Sequence, residues 1–423
     1  MIQVHPLTCP HPVELPPLVP VRQSLPEPRE PDLRAAVERE LARLPLVARI
    51  EPGQRIAVTA GSRGIARIDA VVAAAVAALR SRGAEPFIVP AMGSHGGATP
   101  EGQRAVLADL GVTEERMRAP ILATMETVEL GQLEDGTPVL MDRYAAEADG
   151  ILLINRVKPH TDFSGPIESG LAKICAVGLG KRVGAEAMHS AGPAGLRTRI
   201  PLAARLAIAR RPVLGGLAIL ENPHEDVAAI VGLLPEEIGG SGEMHLLEQA
   251  RALRPTLPFP AIDLLIVDAM GKDISGTGMD TGVIGRMHVP GEPEPERPRI
   301  NCIVVLSLTP ASHGNAAGIG LADVVSAQLA EQVDWQATWT NAVTAGLLGP
   351  GRARLPIVGA TAQDAVELGL LMCGVPATAR ARVAHIVSTK HLGEFRVSEA
   401  LLETAEAPLE RLGAPAPLRF DRA

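Results

Sequence analysis

Aromatic residues are scarce in this chain, at 2% Phe, Trp and Tyr, so its interior is expected to be built from Ala, Val, Leu and Ile. Cysteine is nearly as rare: Cys9, Cys175, Cys302 and Cys373 lie far apart with no C-x-x-C pair. That spacing argues against a disulfide framework, a Cys-type zinc site and an iron–sulfur cluster. No apolar run approaches the roughly 18 residues of a membrane span, and the N-terminus has neither a basic start nor an apolar signal core. A soluble, cytoplasmic protein without a membrane partner is expected. Lys/Arg blocks with aromatics between them are also missing, and a net charge of −8 with interspersed signs argues against nucleic acid as a partner.

What the sequence does have is length, small residues and turn formers. Its 423 residues, 46% hydrophobic, exceed one ordinary core. Two α/β domains of about 150 to 250 residues each are expected, with a cofactor or substrate cleft between them. The breaker-rich Pro255-Thr-Leu-Pro-Phe-Pro260 sets the boundary, giving an N-terminal cofactor-binding and catalytic domain over 1–255 and a C-terminal domain over 261–423 that contributes to substrate binding. Residues 1–31 are proline-rich and are expected to lie extended, without regular structure.

A strand, turn, helix rhythm runs through the first domain. Arg55–Thr59 reads as a strand, Ala60-Gly-Ser-Arg-Gly64 as a glycine turn, and the apolar spacing from Ile68 to Leu79 as a helix. Pro86–Pro90 is a second strand, and its turn, Ala91–Gly97, contains His95. Thr99-Pro100-Glu101 then starts a helix with a hydroxyl cap, an early proline and an acid near the positive end of the dipole. Ile151–Ile154 is a third strand, and the loop after it carries His160. Ser62 with Arg63, His95 and His160 are thereby expected at the carboxyl edge of one sheet, where open α/β sheets bind ligands. Leu321–Gln332 reads as a helix in the second domain.

The stretch from Asn155 to Ser190 concentrates the chemistry, bringing His160, Lys173 and His189 among small residues. A neutral imidazole and a desolvated lysine both react near neutral pH. The neighbours of Lys173, Leu171, Ala172, Ile174, Cys175 and Ala176, offer little polar face, which predicts a buried functional lysine rather than a surface one. A lone histidine beside glycine is more often a loop residue bonded to its own backbone; position at a strand end lifts His95 and His160 above that reading. Ser62 and Arg63 either close a turn or bind phosphate at a helix start. After the strand Asp263–Val267, the glycine-rich loop carrying Lys272, Asp273 and Ser275 is either an ordinary polar loop or a source of a cation for a substrate carboxylate. His313 and Lys390-His391 have less context, and the remaining histidines have none.

Gly93-Ser-His95-Gly, Pro159-His160 with Phe163-Ser-Gly165, Leu171-Ala-Lys173-Ile and then His189 together resemble the nickel-dependent lactate racemase superfamily of 2-hydroxyacid racemases and epimerases. The resemblance covers the N-terminal half, and the remainder only in layout. It implies a nickel pincer nucleotide, a pyridinium mononucleotide with two sulfur-bearing arms, attached to Lys173, with His189 as the nickel ligand and His95 and His160 as the acid/base pair. It also implies a small 2-hydroxyacid substrate and dependence on cofactor-biosynthesis proteins. The scarcity of aromatics mildly favours aliphatic or polyhydroxy acids. Removing the hydroxyl proton while hydride leaves C2 gives a planar ketoacid that accepts hydride on either face, so each enantiomer needs a base. Soft sulfur donors plus one imidazole suit nickel.

Two departures bear on substrate and phosphate contacts. The family's acid before Thr-Arg-Pro is replaced here by Thr59-Ala-Gly-Ser-Arg-Gly64, and the interval from His160 to Lys173 is a few residues longer. Two other classes of function fit the same residues. One is a redox or hydrolytic enzyme using a diffusible nucleotide or a simple metal held by His160 and His189. The other is a non-catalytic carrier binding a nucleotide through Arg63 and Lys173.

Overall fold

A computed structural model describes residues 5–11, 13–61, 64–375 and 377–420. The chain forms two compact units, Pro26–Arg254 and a second made of Met1–Leu25 with Pro255–Ala423. Both are α/β. Among the described residues no helix is long and apolar enough to cross a membrane.

The first strand, β1 (Leu18–Gln23), lies in the stretch expected to lack regular structure and belongs to the sheet of the C-terminal unit. Proline density hid it, because its stability is non-local. Val19 pairs with Val397 and Val21 with both Phe395 and Arg411, and both valines are fully buried.

In the N-terminal unit, β2 (Arg55–Ala60), β3 (Glu85–Pro90), β6 (Gly150–Arg156), β7 (Val213–Glu221) and β8 (Val227–Leu233) form one sheet in the order β3-β2-β6-β7-β8. All are parallel except β8. A separate hairpin joins β4 (Thr127–Gln132) to β5 (Pro138–Asp142). Helices cover both faces, which is why strand β6 is apolar on consecutive residues. Ile151 and Leu153 enter one core while Leu152 and Ile154 enter the other. Burying each such side chain stabilises the fold by about 1.5–3 kcal/mol.

Strand order reverses in this sheet between β2 and β6, since β3 lies on one side of β2 and β6 on the other. Strand pairing between them ends at Val58 with Leu152; beyond it the Thr59 hydroxyl takes over, accepting from Ile154 N at 2.8 Å. The strands part at their carboxyl ends, where such sheets open a crevice for ligands.

The C-terminal unit is built on β9 (Ala261–Met270), β10 (Arg299–Leu308), β11 (Val324–Ser326), β12 (Ile357–Gly359), β13 (Val383–Ile386), β14 (Glu394–Ser398) and β15 (Leu409–Arg411). With β1 they are ordered β12-β11-β10-β9-β13-β14-β1-β15, parallel from β12 to β13 and antiparallel beyond. The helix expected over Leu321–Gln332 is instead strand β11 followed by a helix over Ala327–Gln332. Val324 and Val325 pair with β10 and β12, and the Ser326 hydroxyl caps the helix by accepting from Leu329 N.

Candidate active site

The loops at the carboxyl ends of β3 and β6 carry His95 and His160. The loop after β2 includes Ser62 and Arg63, the expected phosphate contacts, which lie outside the described residues.

The loop after β6 is pinned by a carboxylate that the sequence did not single out. Glu168, 3% exposed, accepts from His160 N and Gly165 N and faces Arg251. Lys158 and Ser169 pair across the base of the loop. His160, with 12% side-chain exposure, packs on buried Phe163 with ring centroids 4.6 Å apart. Its Nδ1 accepts from Asp162 N at 3.1 Å, and its Nε2 lies 2.5 Å from Lys173 Nζ.

That arrangement decides a tautomer. A ring nitrogen that accepts from a backbone N–H carries no proton, so in the neutral imidazole the proton sits on Nε2. The Lys173 amine lies against that Nε2.

Lys173 stands on a short helical turn, Leu171–Lys173, that continues into a π-turn over Ile174–Gly178. From Gly170 to Lys181 every residue is buried except Lys173, which is half-buried. Leu171, Ala172 and Ile174–Val177 fill the core beneath it. The lysine expected to be buried is half-buried, above an apolar platform. Glu243, on the helix Ser241–Leu253, holds the platform from behind by accepting from Ala172 N at 3.1 Å and Gly239 N at 2.8 Å. Burial raises its carboxyl above the usual range, and the backbone donors oppose that shift. A Cβ at Gly170 would lie 2.0 Å from Glu243 Oε1, so a side chain there would have to displace the carboxylate that holds the platform.

His189 is the last residue of the helix Lys181–His189. Its Nδ1 lies 2.6 Å from Ala185 O, an acceptor, so Nδ1 carries the proton and Nε2 presents the lone pair. The ring is accessible at the surface, yet its surroundings lower the imidazole below the usual range. Desolvation is the largest cause, and the charge of Lys173 acts in the same direction, whereas Ala185 O and Asp162 oppose it.

His95 lies in a turn whose glycines are structurally required. Gly93 and Gly96 have φ of 59° and 63°, and a Cβ on Gly96 would come within 2.5 Å of Gly102 C. Gly93 N donates to Gly178 O at 3.0 Å, which seats the His95 turn on the π-turn that follows Lys173. The next helix, Pro100–Asp109, begins as expected, with Thr99 Oγ1 accepting from Gly102 N.

Residues 17–194 match the model of the lactate racemase N-terminal domain. Over that segment the chain is distantly related to the lactate racemase family. The matched segment contains His95, His160, Lys173 and His189. Among solved structures, the lactate racemase apoprotein from Thermoanaerobacterium thermosaccharolyticum aligns with 88% of this chain and 89% of its own, at 12% identity and a TM-score of 0.45. No curated protein matches the chain.

The other expected site residues belong to the C-terminal unit, at the carboxyl end of β9. Lys272 Nζ donates to Gly276 O at 2.7 Å, Asp273 Oδ1 accepts from Thr309 Oγ1, and Ser275 Oγ lies 3.2 Å from Thr277 Oγ1. Within this unit β10 lies on one side of β9 and β13 on the other, so this loop also borders a point where strand order reverses. Asp280 N donates to Thr389 Oγ1 at 2.9 Å, linking the loops after β9 and β13. Among the described residues no three His, Cys, Asp or Glu side chains gather as a metal cage.

Proposed function

We propose that this protein is an isomerase that inverts C2 of a small 2-hydroxyacid using a nickel pincer nucleotide attached to Lys173. The observation carrying the proposal is the grouping of Lys173 with His160 and its electrostatic coupling to His189, within the segment related to lactate racemase.

The residues fit such a group. Lys173 offers an amine on an apolar platform beside His160, placed for bond formation to the cofactor. His189 presents Nε2 as a single imidazole donor, with Nδ1–H fixed on Ala185 O as in well-oriented metal ligands. With one imidazole supplied by the protein, the remaining donors would come from the cofactor's sulfur arms. When bound, the group supplies a hydride acceptor for C2, tuned by nickel.

The protein's own task is proton handling and placement. His160 and His95 would each take the hydroxyl proton from one enantiomer and return it to the other, help worth roughly 10²–10⁴-fold. His160 is shielded by Phe163, and its loop is held by Glu168, so its position is set before the substrate arrives. Ser62 and Arg63 are proposed to contact the cofactor phosphate. In the C-terminal unit Lys272, with Asp273 and Ser275, is proposed to bind the substrate carboxylate.

The test is an intact mass and peptide map with nickel content, on protein from the native host or from cells that also make the pincer nucleotide. An adduct on Lys173 with about one nickel per chain supports the reading. Unmodified Lys173 without nickel, where a known family member is loaded, would replace it with an enzyme using a diffusible cofactor.

A further inference from the structure

Lys181 is fully buried, although it is charged and long. Its ammonium meets acceptors from three elements: Pro90 O at the end of β3 (2.5 Å), Gln103 Oε1 on the helix Pro100–Asp109 (3.0 Å) and Asp142 Oδ2 at the end of β5 (2.9 Å). The last contact is an ion pair rather than an aligned hydrogen bond, and Asp142 Oδ1 caps the next turn by accepting from Ala145 N. Burial pushes the Lys181 ammonium down and the Asp142 carboxyl up. Two hydrogen bonds and one ion pair nevertheless engage the ammonium.

This arrangement is doubly costly. Desolvating an ion pair consumes much of its attraction, and Lys181 holds φ at 54°, a region that favours glycine. A tight turn alone would be served better by glycine, so the side chain must account for the lysine.

What the ammonium does is orient Gln103. By donating to Oε1 it fixes the amide so that Nε2 points at the neighbouring turn, donating to Gly93 O at 2.9 Å and approaching His95 O at 3.4 Å. Lys181 is also the first residue of the helix that ends at His189. One buried cation therefore ties the His95 turn to the element that carries His189.

We propose that Lys181, acting through Gln103, is a positioning residue that keeps the His95 turn and the His189 helix in one frame. The inference rests on the reading of those two histidines as working groups. Three variants test it. Gln103→Glu keeps an acceptor for Lys181 but cannot donate to the turn, and Gln103→Leu does neither. Lys181→Met combined with Asp142→Asn removes both buried charges while an amide oxygen keeps the Ala145 cap.

Hydrogen exchange read by peptide mass should show the amides of residues 91–99 exchanging about tenfold faster in all three variants, with β6 and β7 unchanged. In cofactor-loaded enzyme kcat should fall about tenfold at constant KM, because a displaced His95 impairs the transition state more than substrate binding. Unchanged exchange over 91–99 overturns the proposal. So does uniform acceleration across Pro26–Arg254, or a Gln103→Glu protein that behaves as wild type. Protein lacking an adduct on Lys173 would defeat the pincer reading, while the exchange measurement still decides the role of Lys181.

Discussion

His160 Nε2 and Lys173 Nζ stand 2.5 Å apart, with His160 Nδ1 already accepting from Asp162 N. Lys173 is half-buried above an apolar platform, a setting in which a lysine amine can serve as a nucleophile. Surface lysines are almost wholly protonated at neutral pH, given an ordinary value of about 10.4.

Lys173 should therefore be the most nucleophilic lysine of the unloaded protein. Trace acetic anhydride at neutral pH, with peptide mass read-out, should label it ahead of the surface lysines. His160→Ala should remove that advantage. Equal labelling of Lys173 in both proteins would show that His160 does not govern the amine.

His95→Asn should leave the adduct on Lys173 intact and lower turnover by roughly 10²–10⁴-fold, measured by loss of optical activity. His160→Ala should lose turnover to a similar extent. Full activity in both single variants would remove the proton-transfer assignment. Lys272→Ala should raise KM for the acid, and an unchanged KM would argue against its carboxylate role.

Glu168 anchors the His160 loop through two backbone N–H groups and Arg251. Because its carboxylate is buried and Arg251 is partly exposed, truncation strands donors more than it unpairs charge. Glu168→Ala should cost about 2 kcal/mol in urea unfolding, and Glu168→Gln clearly less, since an amide oxygen still accepts. Equal losses would assign the effect to charge instead.

The folded-state pKa of His189 is lowered, chiefly by desolvation. As pH falls below about 6.5 the unfolded chain takes up this proton first, so His189 costs stability on the acid side and nothing above its unfolded value. His189→Gln should flatten the acid limb of stability against pH, read from urea midpoints. A steeper limb would contradict the direction of the shift.

Cys175 and Cys302 are both buried, which pushes each thiol up to about 12. Only a thiolate reacts readily, so iodoacetamide at about pH 8 should leave both untouched in the native protein and label them after unfolding. Alkylation of Cys175 in protein with native circular dichroism would show that the platform under Lys173 opens.

Much of the N-terminal unit was legible in the sequence because its signals are local. The apolar run Ile151–Ile154 marks a strand covered on both faces, Thr99-Pro100 marks a helix start, and a turn after each strand puts His95 and His160 at one edge of the sheet. The short motifs around His95, His160, Lys173 and His189 likewise sufficed to suggest the superfamily. Tertiary structure decided the rest, since it depends on partners distant in sequence. Strand β1 exists through residues near 397 and 411, Glu243 and Glu168 are indistinguishable from surface acids until folding buries them, and Lys181 reads as an ordinary charge beside Arg182. The tautomers of His160 and His189 depend on which N–H and C=O groups surround each ring, and sequence spacing carries no record of that geometry.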